Sequence, residues 1–124
     1  MNEFPAFMKN AANRIATASQ ATPGVEGYVF DGADGSQMAF WTCSLTAASA
    51  AHVHEFDEYM LVVKGSYTLV ISTSNGGEQR IRITAGEEYL IPRGTPHGGE
   101  VEAGTRTIHC FGGRRANRVE QDLN

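Results

Sequence analysis

The sequence has little cysteine, and this scarcity excludes one class of small protein. Only two cysteines occur among 124 residues, too few for the dense cross-linking of a disulfide-stabilised secreted scaffold. Cys43 and Cys110 lie far apart, each in an apolar run that resembles a strand. We expect buried free thiols in a reducing compartment, in preference to a disulfide or a reactive site.

An excess of basic residues and a long apolar segment are also absent. Ten Lys and Arg residues against 14 Asp and Glu residues give a net charge of −4, so neither nucleic acid nor an anionic membrane is an expected partner. The N-terminus has no basic start followed by an apolar stretch, and no run approaches the roughly 18 to 20 apolar residues of a membrane span. These features predict a cytoplasmic protein without a DNA-binding segment.

What the sequence does contain is glycine and short alternating runs. Fourteen glycines and 41% hydrophobic residues are typical of a soluble all-β domain with many tight turns. Strands are predicted over residues 25–30, 38–45, 59–63, 67–71, 79–83, 88–91 and 105–111. The strands 59–63 and 67–71 are expected to pair as a hairpin through Lys64 and Gly65. Such a series of short strands indicates a sandwich or a closed barrel.

The two termini differ from this central region. Apolar residues between Phe4 and Ile15 recur at spacings of three and four, which predicts an amphipathic helix over residues 4–18. The resulting division is an N-terminal helical extension (1–22), a β domain (23–112) and a C-terminal tail (113–124). Arg114, Arg115 and Arg118 in that tail are expected to be solvated.

Residues 52–65 carry the first chemical motif. His52 and His54 are two residues apart, so on an extended strand both imidazoles point to the same side. Glu58 has the same parity, but a straight strand would place it roughly 13 Å from His54. We therefore predict a bend over residues 55–57 that returns Glu58 to the two imidazoles, as a shared metal ion requires.

A second motif follows between Gly86 and His97. A short strand ends at Pro92, and the Pro92–Gly94 segment predicts a rigid turn in which glycine adopts a positive φ. His97 comes directly after this turn. The turn would present a third imidazole.

Together, His-x-His-x3-Glu-x6-Gly and Gly-x5-Pro-x-Gly-x2-His resemble the two signature motifs of the cupin superfamily. The resemblance implies a small single-domain (monocupin) protein with a jelly-roll β-barrel, here with a short N-terminal helix. It also implies that His52, His54, Glu58 and His97 hold one metal ion.

Three imidazoles and a carboxylate suit a divalent transition metal ion: Fe, Mn, Ni, Co, Cu or Zn. A closed tetrahedral zinc site would be structural, whereas an octahedral site would leave two positions for small molecules. The second is favoured, because structural zinc usually recruits thiolates and neither cysteine is near the motifs in sequence. The function predicted is a metal-dependent enzyme acting on a small organic molecule, either dioxygenase-like or an isomerase or lyase. A non-catalytic binding module is the alternative, and a structural metal is a third possibility.

Glu58 and His109 are the candidate catalytic residues. If Thr105, Thr107 and His109 share the inward face of the last strand, His109 can act as a general base or contact the substrate. A hydrogen-bonded structural histidine is the simpler interpretation of its position.

Parity with Glu58 predicts that Met60 and Val62, together with Phe40, form apolar walls around the metal. Trp41 is expected in the core, because its neighbours of the same parity are apolar. Small organic acids, enols, phenols and diketones are the ligands that such a pocket suits. We also expect a homodimer, since the terminal segment and the sheet edges need cover.

Overall fold

The computed structural model describes residues 1–15 and 23–119, and these form nine β-strands. The strands are β1 (Val25–Asp31), β2 (Gln37–Cys43), β3 (Ala47–His52), β4 (Glu58–Lys64), β5 (Ser66–Ser72), β6 (Glu78–Thr84), β7 (Glu88–Ile91), β8 (His97–Val101) and β9 (Thr105–Phe111). The predicted bounds of β7 and β9 are confirmed. β3 was anticipated only as an extended conformation at His52, and β8 was not predicted. Its sequence, with two successive glycines, lacks the pattern of a strand.

The strands form two antiparallel sheets. One has the order β1-β2-β9-β4-β7 and the other the order β3-β8-β5-β6. This all-β, jelly-roll-like arrangement confirms the predicted fold class, but the described residues form two sheets and not a closed barrel. In each sheet, strands that are distant in sequence are neighbours, and this brings the two motifs together.

The predicted hairpin at Gly65 is wrong. β4 pairs with β7 and β9, whereas β5 pairs with β6 and β8, so the chain crosses from one sheet to the other at this glycine. Gly65 has φ of 84°, a conformation that glycine adopts readily. A Cβ atom there would lie 2.4 Å from Oγ1 of Thr105, so the crossing requires a residue without a side chain.

The predicted N-terminal helix is also wrong within the described residues; positions 16–18 of that prediction lie outside them. Two short 3-10 helices, Ala6–Lys9 and Ala11–Asn13, stand in its place. They are separated by Asn10, which is extended and accepts a hydrogen bond from the N–H of Ala12. No helix in the described part of the chain is long and apolar enough to cross a membrane.

Edge pairing explains why the N-terminal segment leaves the helical conformation. Arg14 forms a β-bridge with Tyr28, and the N–H of Ile15 donates to the carbonyl of Gly27 (2.9 Å). These residues cover the otherwise open edge of β1. A buried backbone hydrogen bond at a sheet edge can outweigh the weak helical preference of a short segment.

The C-terminal segment is docked on the same strand, which corrects the prediction of a solvated tail. Nη1 of Arg118 lies 2.6 Å from Oδ2 of Asp31, and Nη2 donates to the carbonyl of Val29 (2.7 Å). Only 15% of the Arg118 side chain is exposed. Arg114 is exposed, as predicted, with Nη2 3.7 Å from Asp31. Charge patterning could not predict this docking, because the partners of Arg118 lie about 90 residues away.

Both cysteines are free thiols, as predicted. Cys43 is buried, and desolvation raises its pKa to about 11. Cys110 is only half-buried, so the expectation of two buried thiols holds for Cys43 alone.

Candidate metal centre

Strand ends from both sheets meet at the candidate metal centre. β3 ends at His52 and β8 begins at His97, and these two histidines are paired across the four-stranded sheet. Glu58 begins β4 in the other sheet. His54 lies in the connection between β3 and β4, outside any strand, so strand alternation alone does not align it with His52 as predicted.

The connection over residues 53–57 is bent as predicted, and hydrogen bonds from the turn after β7 hold the bend. The carbonyl of His54 accepts from the N–H of Gly94 (2.8 Å), while Oδ1 of Asp57 accepts from the N–H of Arg93 (2.9 Å). The imidazole of His54 stacks on the ring of Phe56, with centroids 5.0 Å apart. The turn after β7 thus ties the second motif to the first.

The four predicted ligands converge. One donor atom from each of His52, His54, Glu58 and His97 lies within 4.8 Å of all the others. Oε1 of Glu58 is 3.3 Å from Nε2 of His54 and 3.3 Å from Nε2 of His97. This separation between donors is compatible with a single ion at bonds of about 2.0 to 2.2 Å.

Hydrogen bonds to the backbone orient two of the imidazoles. Nδ1 of His52 lies 3.0 Å from the carbonyl of Ala50, and Nδ1 of His97 lies 2.8 Å from the carbonyl of Thr95. A carbonyl only accepts, so each Nδ1 carries the proton and donates. The Nε2 lone pair of each ring is thereby available to a metal ion.

The site also has buried atoms that a metal ion would satisfy. Among the described residues, Nε2 of His54 and Nε2 of His97 are buried and form no hydrogen bond of good geometry, although each lies 3.3 Å from Oε1 of Glu58. Buried polar atoms are rarely left in this state, because desolvation without a partner is costly. The chemistry and placement of the donors therefore fit one divalent transition metal ion.

Glu58 is held as a carboxylate despite being 5% exposed. Burial by itself raises the pKa of Glu58, but the imidazoles of His109, His54 and His97 together lower it well below its ordinary value. An ionised carboxylate provides the negative charge that a divalent ion needs. The two oxygens have different surroundings, since Oε1 faces His54 and His97 while Oε2 lies 2.8 Å from Nδ1 of His109.

His109 lies on the inward face of β9, which is the condition for its predicted role. Thr105, Thr107 and His109 are all buried, with 0%, 2% and 6% exposure, and the last two line the same pocket as Glu58. Nδ1 of His109 donates to Glu58, and Nε2 lies 3.1 Å from Oγ1 of Thr107. His109 is thus a satisfied, hydrogen-bonded histidine placed beside the proposed ligands; its catalytic role stays a prediction.

A cavity of about 120 Å³ opens onto the candidate ligands, well above the roughly 10 to 15 Å³ that one water molecule needs. Three of the four candidate ligands, His52, Glu58 and His97, line it together with His109. Its apolar walls include Val25, Trp41, Val101 and Phe111. The site is therefore accessible to a small molecule.

The predicted wall residues are wrong. Met60 and Val62 are fully buried in a core cluster with Leu69 and Ile91, because each step of two residues along β4 carries the chain roughly 7 Å further from Glu58. Phe40 is paired with Ile108, of opposite parity to His109. Its ring packs against those of Phe4 and Phe30.

Several lining residues were not identified as such from the sequence, among them Trp41, Tyr67 and Arg115. Trp41 packs against the core as predicted but is half-buried and lines the cavity, with its ring against Gly27, where a Cβ atom would lie 2.5 Å from it. Tyr67 has its hydroxyl against Gly99. Arg115 also lines the cavity, and no local pattern in the tail indicates this.

Solved structures with a similar fold include proteins described as cupins. KdgF from Halomonas sp. is 23% identical with a TM-score of 0.62, over 77% of this chain and 84% of KdgF. An RmlC-like cupin from Shewanella frigidimarina NCIMB 400 is 17% identical with a TM-score of 0.61, over 89% and 88% of the two chains. A variant of oxalate decarboxylase from Bacillus subtilis is 14% identical with a TM-score of 0.64, over 82% of this chain and 29% of that enzyme.

The chain therefore has the cupin fold, which confirms the fold that the two motifs implied. No protein-family model matches the sequence, and no curated protein matches it.

Proposed function

We propose that the protein is a metal-binding cupin that acts as a metal-dependent enzyme on a small organic molecule. The convergence of three imidazoles and Glu58 at the wall of an open cavity carries this proposal. A purely structural metal would need no such access, whereas a substrate must reach the ion. The similarity in fold to oxalate decarboxylase, an enzyme, supports the same interpretation.

In this proposal His52, His54, Glu58 and His97 hold the ion. When bound, the ion would supply Lewis-acid or redox chemistry, which a dioxygenase, an isomerase or a lyase can use. The buried carboxylate of Glu58 contributes charge through Oε1, while His109 holds Oε2 and so sets the orientation of the carboxylate.

His109 would also serve as a proton carrier. Its Nε2 accepts a hydrogen bond from the hydroxyl of Thr107 and lies on the wall of the cavity. Rotation of that hydroxyl would let Nε2 take a proton from a bound molecule. The surrounding apolar walls exclude bulk water from this transfer.

Metal loading followed by elemental analysis tests the site. We expect about one ion per chain, a large loss of affinity in His97→Ala, and retention of the ion in His109→Gln, which removes a neighbour but no proposed ligand. Unchanged stoichiometry and affinity in both His52→Ala and His97→Ala would show that the site is wrongly assigned.

Turnover is tested by oxygen uptake and product analysis with panels of small acids, enols, phenols and diketones. Glu58→Gln should abolish activity, because the amide lacks the charge that tunes the ion, while the melting profiles of both metal-free proteins stay similar. Full activity in Glu58→Gln and in the metal-free protein would reject metal-centred catalysis. Binding without product across all panels would favour the non-catalytic binding module.

A further inference from the structure

Gln37 fastens the segment that follows β9 to the start of β2. Its side chain is 3% exposed, and Oε1 accepts hydrogen bonds from the backbone N–H groups of Arg115 and Ala116, both at 2.8 Å. Its Nε2 donates to the carbonyl of Ala116 (3.0 Å) and to Oδ1 of Asp31 (2.9 Å). Because all these groups are satisfied by one buried amide, the backbone at Arg115 has a defined position.

From this position the side chain of Arg115 reaches the cavity of the candidate metal centre. Arg115 is half-buried and lines the cavity with His52, Glu58 and His97. Burial lowers its pKa, while the negative charge of Glu58 and the nearby Tyr67 oppose that shift. A cation has thus been placed inside a cavity and not on the solvated surface expected of a tail.

With a metal ion bound, the site would carry a net positive charge that an anion beside Arg115 would neutralise. A divalent ion held by one carboxylate and three neutral imidazoles leaves net positive charge, and the guanidinium adds more. Glu58 is the one carboxylate among the described residues that line the cavity, and its charge is already included in this sum. A negatively charged ligand between the ion and the guanidinium would remove the repulsion between two cations in a poorly solvated space.

We propose that Arg115 is the carboxylate-binding residue of this site, and that the substrate is a small organic acid held by the metal at one end and by Arg115 at the other. The inference rests on the proposed function, because the metal supplies one of the two contacts. It narrows the ligand class, since neutral enols, phenols and diketones offer no carboxylate. Arginine suits this role because its planar fork matches the two oxygens of a carboxylate.

Two probes of equal length separate the carboxylate from the metal-binding group. Malate and 2-hydroxybutyrate share a 2-hydroxycarboxylate that can bind the metal, but only malate has a second carboxylate in place of a methyl group. Calorimetric titration into Co²⁺-loaded protein should give a Kd for malate that is at least about tenfold lower. In Arg115→Gln the malate Kd should rise by about that factor, with the 2-hydroxybutyrate Kd unchanged.

Arg114→Gln is the matched control, because it removes the same charge from the adjacent, exposed position. It should keep the preference for malate, and Arg115→Lys should keep part of it. Equal Kd values for the two probes in the wild type, or no binding of either probe, would overturn the proposal. So would a preference for malate that survives Arg115→Gln, or a loss of that preference in Arg114→Gln as large as in Arg115→Gln. Melting curves and metal content of each variant exclude misfolding, and Arg115→Lys provides the comparison if Arg115→Gln does not fold.

Failure of the proposed function gives a different pattern. If no metal is taken up, malate is titrated into the metal-free protein. Malate binding that is lost in Arg115→Gln would support the carboxylate site without the metal. Absence of malate binding, or binding that does not depend on Arg115, would overturn the carboxylate site. Normal metal uptake without any effect of Arg115 rejects the carboxylate site and leaves the metal centre intact.

Discussion

Among the proposed ligands, His52 and His97 have pKa values shifted in opposite directions. Burial lowers the pKa of His52 below its ordinary value of 6.5. Burial also lowers that of His97, but Glu58 and the carbonyl of Thr95 outweigh it and raise the pKa above 6.5. Without a metal ion, His97 therefore takes up a proton at a higher pH than His52, and each proton must leave before that nitrogen can bind a metal.

Metal affinity should consequently weaken as the pH falls, beginning above pH 6.5 because of His97 and continuing below it. The sign follows from competition, since a raised pKa means that protons compete with the ion at higher pH. Titrations of Co²⁺ into the metal-free protein between about pH 7.5 and 5.5 would measure this around the usual imidazole pKa of about 6.5. Affinity that does not change across this range would argue against histidine ligands.

At the scale of elements, two requirements at the crossing between β4 and β5 can be tested separately: a residue without a side chain, and a residue with a positive φ. Gly65 and Gly76 have similar φ angles, 84° and 82°. An added Cβ atom at Gly65 would meet Thr105 at 2.4 Å, whereas at Gly76 nothing lies within 4 Å. Only the first substitution adds a clash to the backbone strain.

Gly76→Ala should lower the free energy of unfolding by about 1 to 2 kcal/mol, the usual cost of a left-handed conformation. Gly65→Ala should cost at least about 1 to 3 kcal/mol more, as overpacking does, and it also disturbs the hydrogen bond between the N–H of Ser66 and Oγ1 of Thr105 (3.1 Å). Urea unfolding of both variants gives the comparison. Equal losses would mean that the crossing tolerates a side chain.

At the scale of the whole molecule, the described residues include strands at the edges of both sheets. β7 lies at the edge of the five-stranded sheet, and Leu90 on this strand is 56% exposed. Val53, beside the metal-binding histidines in sequence, is also 56% exposed. Unpaired edges and exposed apolar side chains favour association between copies of the chain.

We therefore predict a homodimer, with a mass near twice the 13.4 kDa of one chain. Closed two-fold pairing is the commonest way to cover such surfaces. Light scattering at micromolar concentration measures the mass directly, and Leu90→Glu should shift it toward the monomer if β7 takes part. A mass of one chain for the wild type would reject the dimer.

The sequence by itself determined the identities of the candidate ligands, the bend over residues 55–57 and the bounds of β7 and β9. The set of four ligands follows from the resemblance of the two motifs to those of cupins, and the bend follows from the spacing of His54 and Glu58. The bounds of the two strands follow from their apolar pattern and the turn residues beside them. Spacing along the chain is enough to predict such features, although the bend is then held by hydrogen bonds from Arg93 and Gly94.

Tertiary structure decided which strands are neighbours and which side chains meet at the cavity. Parity correctly placed Met60 on the inward side of β4, but it does not show how far along the strand the metal centre lies. It also could not show that β4 and β5 separate at Gly65, or that Gln37 draws Arg115 into the cavity from 78 residues away. The physical reason is that periodicity records the face of an element, whereas its neighbours depend on contacts between distant parts of the chain.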